Sequence, residues 1–270
     1  MSLNGYTALV TGAARGIGKA IALQLARDGA NLALLDLSDD LEKSAKDVLV
    51  EGNQVVPVKA DVSDADAVAS AVEEASQSLG GIDILVNNAG LVKNIAPVGR
   101  MKAKAWQQEL DVNLSGPFNM IQATIGPMVE RGWGRIINIS SVAARGGLHY
   151  QAGYSASKNG LLGLTHTVTL EYARHGITCN AILPGVVETE NVGAMPKPVR
   201  DTVEAMVPAR RMGKVEEVAH LAAFLASDKA AYINGAEIDI DGGTRLNSLT
   251  LGSQRELRER ADALAKAFEE

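Results

Sequence analysis

Along the chain, short apolar runs rich in Ile, Leu and Val alternate with longer stretches of helical periodicity. Seven runs read as strands: Thr7–Thr11, Asn31–Asp36, Gln54–Ala60, Ile82–Asn87, Arg135–Ser140, Gly176–Leu183 and Glu237–Asp241. Several are nearly unbroken in their hydrophobicity, so each strand is expected to be covered on both faces. That pattern predicts an α/β fold with a doubly wound, seven-stranded parallel sheet and helices on both sides. A ligand in such a sheet sits at the C-terminal strand edge. Helix starts are expected after Ser38, which precedes an acidic first turn. Another is expected at Ser63-Asp64-Ala65-Asp66, read as a capping box opening a helix toward Leu79.

One region breaks the alternation. Between Leu183 and Val215 lie Pro184, Pro196, Pro198 and Pro208 with no clear strand. Residues 184–214 are therefore read as a loop with a short helix, serving as a substrate lid.

Composition narrows the function classes. The 270 residues carry a net charge of −6 with acids and bases interspersed. No clustered Lys/Arg face offers itself to nucleic acid. No apolar run approaches the roughly 18 residues that would cross a bilayer. The opening Met1-Ser2-Leu3-Asn4-Gly5 lacks the basic-then-apolar order of a secretory leader. The single cysteine, Cys179, lies in an apolar run and reads as a small buried hydrophobe in a reducing compartment. The expected location is the cytoplasm. His149, His166, His175 and His220 are too scattered for a metal site, and none is expected.

Chemistry first becomes visible at Thr11-Gly12-Ala13-Ala14-Arg15-Gly16-Ile17-Gly18, which joins the first strand to the first helix. Gly12, Gly16 and Gly18 permit a tight turn, close approach to a pyrophosphate, and tight packing of helix on strand. The helix N-terminus then offers free N–H groups to phosphate. Asp36 ends the second strand, eighteen residues after Gly18. A carboxylate there accepts both ribose hydroxyls of an adenosine and repels a 2′-phosphate, so NAD is expected over NADP. Arg15 pulls the other way, as a cation that would meet that phosphate.

Tyr154 and Lys158 are four residues apart on a predicted helix and share a face. A phenol has a reference pKa near 10. Bringing it into the neutral range takes roughly 4 kcal/mol, about what one ammonium ~4 Å away supplies at an effective dielectric near 20. Ser141, thirteen residues earlier, ends a strand at the same edge, where its hydroxyl can bond a substrate oxygen. A Tyr-x-x-x-Lys pair by itself is common on exposed helices, and Asn113 by itself could merely cap or kink one.

Taken together, the glycine turn, Asn87-Asn88-Ala89-Gly90, Asn113, Ile139-Ser140-Ser141, Tyr154-Ser155-Ala156-Ser157-Lys158 and Pro184-Gly185 resemble the short-chain dehydrogenase/reductase family in order and spacing. The likeness is to its short single-domain branch and runs from about Thr7 to Gly243. It implies a Rossmann fold, a nicotinamide cofactor, and a small alcohol or ketone substrate. It also implies Tyr154 as acid/base, Lys158 as its electrostatic partner and ribose ligand, Ser141 as substrate orienter and Asn113 in a proton relay. Asp61, Val62, Asn88, Ala89, Gly90, Pro184, Gly185, Val187 and Thr189 match the family's cofactor contacts, with Ile17 in the glycine turn. Asp61 could equally begin the cap at Ser63. Gln151 and His149 fall in a loop that commonly faces substrate, with solvent exposure favoured for His149. Val186, Val187, Val192, Met195 and Met206 offer an apolar wall.

Residues 1–243 are thus read as one dinucleotide-binding catalytic domain and 244–270 as a C-terminal extension, where close relatives usually stop. Ser253-Gln254-Arg255-Glu256 reads as a capping box there. Leu257, Ala261, Leu264 and Phe268 form an apolar stripe, packing on the same subunit or across an oligomer interface. The resemblance implies a dimer or tetramer. Two other readings stay open. One is an NADPH-dependent 3-oxoacyl reductase, weakened because Gly132 and His175 stand where carrier-protein reductases have arginines, with Arg131 and Arg174 adjacent. The other is a non-catalytic NAD-binding regulator.

Overall fold

The computed structural model describes residues 2–49 and 52–246, together with 258, 259 and 262. Its strands and helices alternate. They run β1 (Thr7–Thr11), α1 (Gly16–Arg27), β2 (Asn31–Asp36), α2 (Leu41–Val48), β3 (Val55–Lys59), α3 (Ala65–Leu79) and β4 (Ile84–Asn87). Next come α4 (Ala103–Leu110), a π-helical segment Asp111–Ser115, α5 (Gly116–Arg131), β5 (Gly134–Ile139), α6 (Ala143–Gly146), α7 (Ala152–Tyr172) and β6 (Ile177–Pro184). The last are β7 (Val187–Glu188), α8 (Glu190–Gly193), α9 (Lys197–Met206), β8 (Gly213–Lys214), α10 (Val215–Ala226) and β9 (Glu237–Ile240).

Seven strands form one parallel sheet in the order β3-β2-β1-β4-β5-β6-β9. The unbroken apolar runs are explained by burial on both faces, with alternate residues of one strand feeding opposite cores. Ala8, Val10, Leu32 and Leu34 pack with Ile21 and Leu25 of α1 and Val218 and Ala222 of α10. Leu9, Ala33, Leu35 and Leu85 pack on the other side with Val68 of α3, Met120 of α5 and Val168 of α7. Pro57 in β3 is tolerated because β3 is the sheet edge, where a missing N–H leaves no neighbouring strand unpaired. Strand order reverses between β1 and β4, which opens a crevice at their C-terminal ends. Among the described residues, no helix is long and apolar enough to cross a membrane.

Local expectations shift in three places. Asp64, not Ser63, caps α3: its Oδ1 accepts from the N–H groups of Asp66 and Ala67, both at 3.0 Å. Ser63 is drawn back to Asp61, donating its N–H and hydroxyl to Oδ1 at 2.9 and 2.7 Å. Ser38 likewise closes a turn ahead of α2, accepting from the Asp40 N–H at 3.2 Å. Between residues 184 and 214, β7 and β8 pair in parallel over two residues each, too short to leave a periodic trace. The capping box at Ser253 and the apolar stripe after it lie outside the described residues.

A buried polar chain ties the middle of the sheet to α7. Asn87 Nδ2 donates to Asn138 Oδ1 at 2.8 Å, and Asn138 Nδ2 donates to the Thr165 hydroxyl at 2.9 Å. Asn138 Nδ2 also lies 3.6 Å from Cys179 Sγ, and burial pushes that thiol up to about 12. Asn138→Ala strands both partners and leaves a cavity. A loss of about 2–4 kcal/mol is expected, measured as a lower urea midpoint with unchanged m-value.

Candidate active site

The crevice is built on the turn between β1 and α1. Gly12 and Gly16 hold φ of +65° and +56°, in the left-handed region. A Cβ on Gly12 would lie 2.8 Å from the Ala89 Cα, and one on Gly18 would collide with the Gly12 carbonyl oxygen. Thr11, to which the sequence assigned no role, staples this turn to the end of β4. Its hydroxyl accepts from the N–H groups of Asn88 and Ala89 at 3.0 Å and donates to the Val86 carbonyl at 3.4 Å. Asn88 Nδ2 donates to the carbonyls of Thr11 and Gly12 at 2.9 and 3.1 Å. The turn's carbonyls are thus satisfied inward. The α1 N-terminus carries no side-chain cap, leaving N–H groups suited to an anion.

A cavity of about 450 Å³ opens there, with Gly12, Arg15, Asp36, Asp61, Val62, Asn88, Ala89 and Gly90 on its walls. Asp36 Oδ2 accepts from the Ala14 N–H at 3.0 Å and Oδ1 from the Ser38 N–H at 2.9 Å. The carboxylate is fixed, and each oxygen has a further lone pair to accept with. Asp61 holds Ser63 and also lines the cavity. The glycine cradle, the uncapped helix end and the anchored carboxylate together fit an adenine dinucleotide.

A second cavity, of about 330 Å³, continues past Arg15, Gly16 and Ile17 to Ser141, Tyr154 and Lys158. Pro184, Gly185, Val187 and Thr189 form its other wall, with Val186 and Val192. Met195 and Met206 are exposed and do not line it. Ser141 follows β5; its Oγ accepts from the Ala143 N–H at 3.1 Å, and it shares the cavity wall with Tyr154. Ser140 anchors the helix opposite, donating to the Lys158 carbonyl at 2.9 Å. Lys158 Nζ donates to the Ile139 carbonyl at 2.8 Å and lies 5.8 Å from the Tyr154 ring centroid.

Burial dominates the electrostatics of the pair. Burial pushes the Tyr154 phenol up, the Ser141 hydrogen bond pulls it partly back, and the Glu109 carboxylate raises it further. The Lys158 ammonium is turned toward a carbonyl, and burial lowers its own pKa to about 8.

Three predicted residues lie off the cavity walls. Asn113 is fully buried in the π-helical segment, accepting from the Leu91 N–H at 2.6 Å and donating to the Leu91 carbonyl at 2.9 Å and Ser157 Oγ at 3.2 Å. Gly18 packs beneath the turn. Gln151 caps α7 outside both cavities. His149 is exposed. Glu109 was missed altogether, because Trp106-Gln107-Gln108-Glu109 reads as a solvated helix face.

A Rossmann-type sheet, a dinucleotide cradle at its reversal point and an adjoining Ser–Tyr–Lys cluster define a nicotinamide-dependent oxidoreductase. The family model described as enoyl-(acyl carrier protein) reductase matches residues 12–245, and the chain belongs to the short-chain dehydrogenase/reductase family. It is 41% identical over 248 residues to 3-oxoacyl-(acyl-carrier-protein) reductase FabG of Thermotoga maritima, spanning 90% of this chain and 99% of that one. It is 41% identical over 262 residues to oxidoreductase UcpA of Salmonella typhimurium, spanning 93% and 98%. The crystal structure of levodione reductase superposes with a TM-score of 0.84 at 35% identity, covering 90% of this chain and 98% of that one.

The lowered Lys158 pKa carries a stability consequence. The folded value, about 8, lies below the ordinary 10.5. The charged amine therefore opposes folding fully below pH 8, and this opposition fades as pH rises toward 10.5. Lys158→Met is expected to stabilise the fold at pH 7 by on the order of 1–3 kcal/mol while turnover is lost. A thermal melt of both proteins at pH 7 and at pH 10 checks this, with the difference shrinking at the higher pH.

Proposed function

We propose that this chain is an NAD-linked dehydrogenase/reductase that interconverts a secondary alcohol and a ketone. The observation that carries the reading is that Ser141, Tyr154 and Lys158 line one cavity together with Gly16 and Ile17 of the glycine turn, Lys158 one helical turn along from Tyr154. The α1 N-terminus and the Gly12–Gly18 turn hold the pyrophosphate. Asp36 accepts the adenosine ribose hydroxyls, with Asp61, Val62, Ala89 and Gly90 around the adenosine. Lys158, Val187 and Thr189 face the nicotinamide half.

When bound, the nicotinamide supplies the hydride donor or acceptor and, in its oxidised form, a positive charge near the phenol. Ser141 fixes the substrate oxygen within reach of Tyr154 and stabilises charge developing on it. Tyr154 gives a proton to that oxygen in reduction and takes one in oxidation. Lys158 steadies the tyrosinate, and Asn113 supports the proton path by holding Leu91 and Ser157 beside it. Residues 1–243 form the catalytic unit, with 184–214 closing the substrate side. Assembly as a dimer or tetramer in the cytoplasm completes the reading.

A second reading, an NADPH-dependent 3-oxoacyl reductase, is favoured by the name of the Thermotoga relative. Asp36 weighs against it, since its carboxylate meets a 2′-phosphate with like charge. Arg131 weighs against carrier-protein docking, being already engaged with Asp83 at 3.2 Å and with the Ile82 carbonyl.

Tyr154→Phe is expected to lower kcat by at least about 10³-fold while leaving the Kd for NADH, read by fluorescence, within twofold of wild type. Turnover retained on a panel of ketones and secondary alcohols would refute the mechanism. Wild-type kcat/KM should favour NAD over NADP by roughly 100-fold or more, and Asp36→Ala should erase most of that ratio. A wild-type preference for NADPH selects the second reading.

A further inference from the structure

Glu109 is a fully buried carboxylate on α4 that the chemistry above does not use. Its Oε1 accepts from the backbone N–H groups of Lys93 and Asn94, at 3.4 and 3.3 Å, in the loop that leaves β4. Its Oε2 is buried with no hydrogen-bond partner. That oxygen points into the first turn of α7, where a Cβ added to Gly153 would lie 2.5 Å away. Gly153 immediately precedes Tyr154. A carboxylate thus occupies the space that a missing side chain frees in the turn carrying the tyrosine.

Other charged and titratable groups surround the phenol. Lys158 lies on the tyrosine's own helix, Arg15 on the glycine turn and Glu190 beyond β7, all lining the same cavity. Lys93 lines the neighbouring cavity from the loop above. His149 and Tyr150 face each other in the loop before α7. The Glu109 carboxylate acts against ionisation of the phenol. The same side chain ties down the 93–94 loop, which is joined to the Tyr150 carbonyl by the Ala96 N–H at 2.8 Å. One group therefore connects the rim of the cleft to the turn that carries Tyr154.

We propose that Glu109 is a positioning residue for Tyr154: its buried carboxylate holds the phenol in the proton-donating form, and so biases the site toward reduction. This rests on the reading of Tyr154 as acid/base. The consequence is directional. Removing the carboxylate eases ionisation of the phenol, so the alkaline limb of alcohol oxidation moves to lower pH and reduction falls off at lower pH.

The test is a stopped-flow pH-jump titration of tyrosinate absorbance on the full chain, subtracting a Tyr154→Phe reference carrying the same Glu109 variant. No substrate is needed, so its outcome is independent of whether the assigned reaction is right. In Glu109→Gln the titration of Tyr154 is expected to fall by about 0.5–1.5 pH units, and the pH limb of oxidation to move with it. Glu109→Asp, which keeps the charge, should stay nearer the wild-type value. Glu109→Met, uncharged and of similar volume, is read in the same way should the amide variant not fold. An unmoved titration in the uncharged variants overturns the proposal. So does an equal shift in Glu109→Asp, which assigns the effect to packing.

Discussion

Backbone contact at the reversal point of the sheet is the constraint from which the site follows. Gly12 lies against Ala89 and Gly18 against the Gly12 carbonyl, with no room for a Cβ at either position. Because β1, α1 and the end of β4 touch main chain to main chain, the α1 N-terminus is aimed across the crevice instead of into protein. Thr11 and Asn88 then satisfy the carbonyls that this closeness buries. The free N–H groups are what remain, and they face the cavity where Asp36 is held. A looser junction would move helix and carboxylate independently; this one moves them together.

The catalytic side is arranged at some expense to stability. A phenol and an amine are taken out of water beside each other, and burial alone moves both toward their neutral forms. Surrounding structure offsets this with satisfied polar contacts. Ser140 bonds the Lys158 carbonyl, Lys158 bonds the Ile139 carbonyl, and the Asn87–Asn138–Thr165 chain pins α7 to β4 and β5. The helix bearing the pair cannot slide without breaking several of these bonds at once. Asn113, in its π-helical turn, extends the same network to the loop after β4.

Features set by local chemistry were legible in the sequence. The glycine turn, the doubly covered strands and the Tyr154–Lys158 spacing each depend on residues within one element, and each is found where expected. Features set by competition were not. Ser63 is a good cap, but Asp61 claims its hydroxyl and Asp64 takes over. The β7–β8 pairing joins residues 26 apart over two residues each, and no periodicity survives at that length. Glu109 was opaque for a different reason: a carboxylate in a polar stretch is solvated unless a distant glycine makes room for it. Only the packing of α4 on Gly153 reveals that it is inside.

The proton state of the phenol depends on more than an ammonium one helical turn along. A Coulomb estimate treats the lysine as a permanent point charge, yet burial lowers its pKa to about 8, and the Ile139 carbonyl takes up its hydrogen bond. The phenol's own desolvation acts in the opposite sense, and Glu109 adds to it. Ser141 acts against both and favours the anion. The resting tyrosine is therefore an acid, ready to protonate a substrate oxygen. Making it a base requires a further positive charge near the ring, and in the proposed reaction the oxidised cofactor is the species that brings one. Reduction would then find the site already in its working protonation state, while oxidation would depend on cofactor charge. One buried cluster thus ties the tyrosine's proton state to the redox state of its partner.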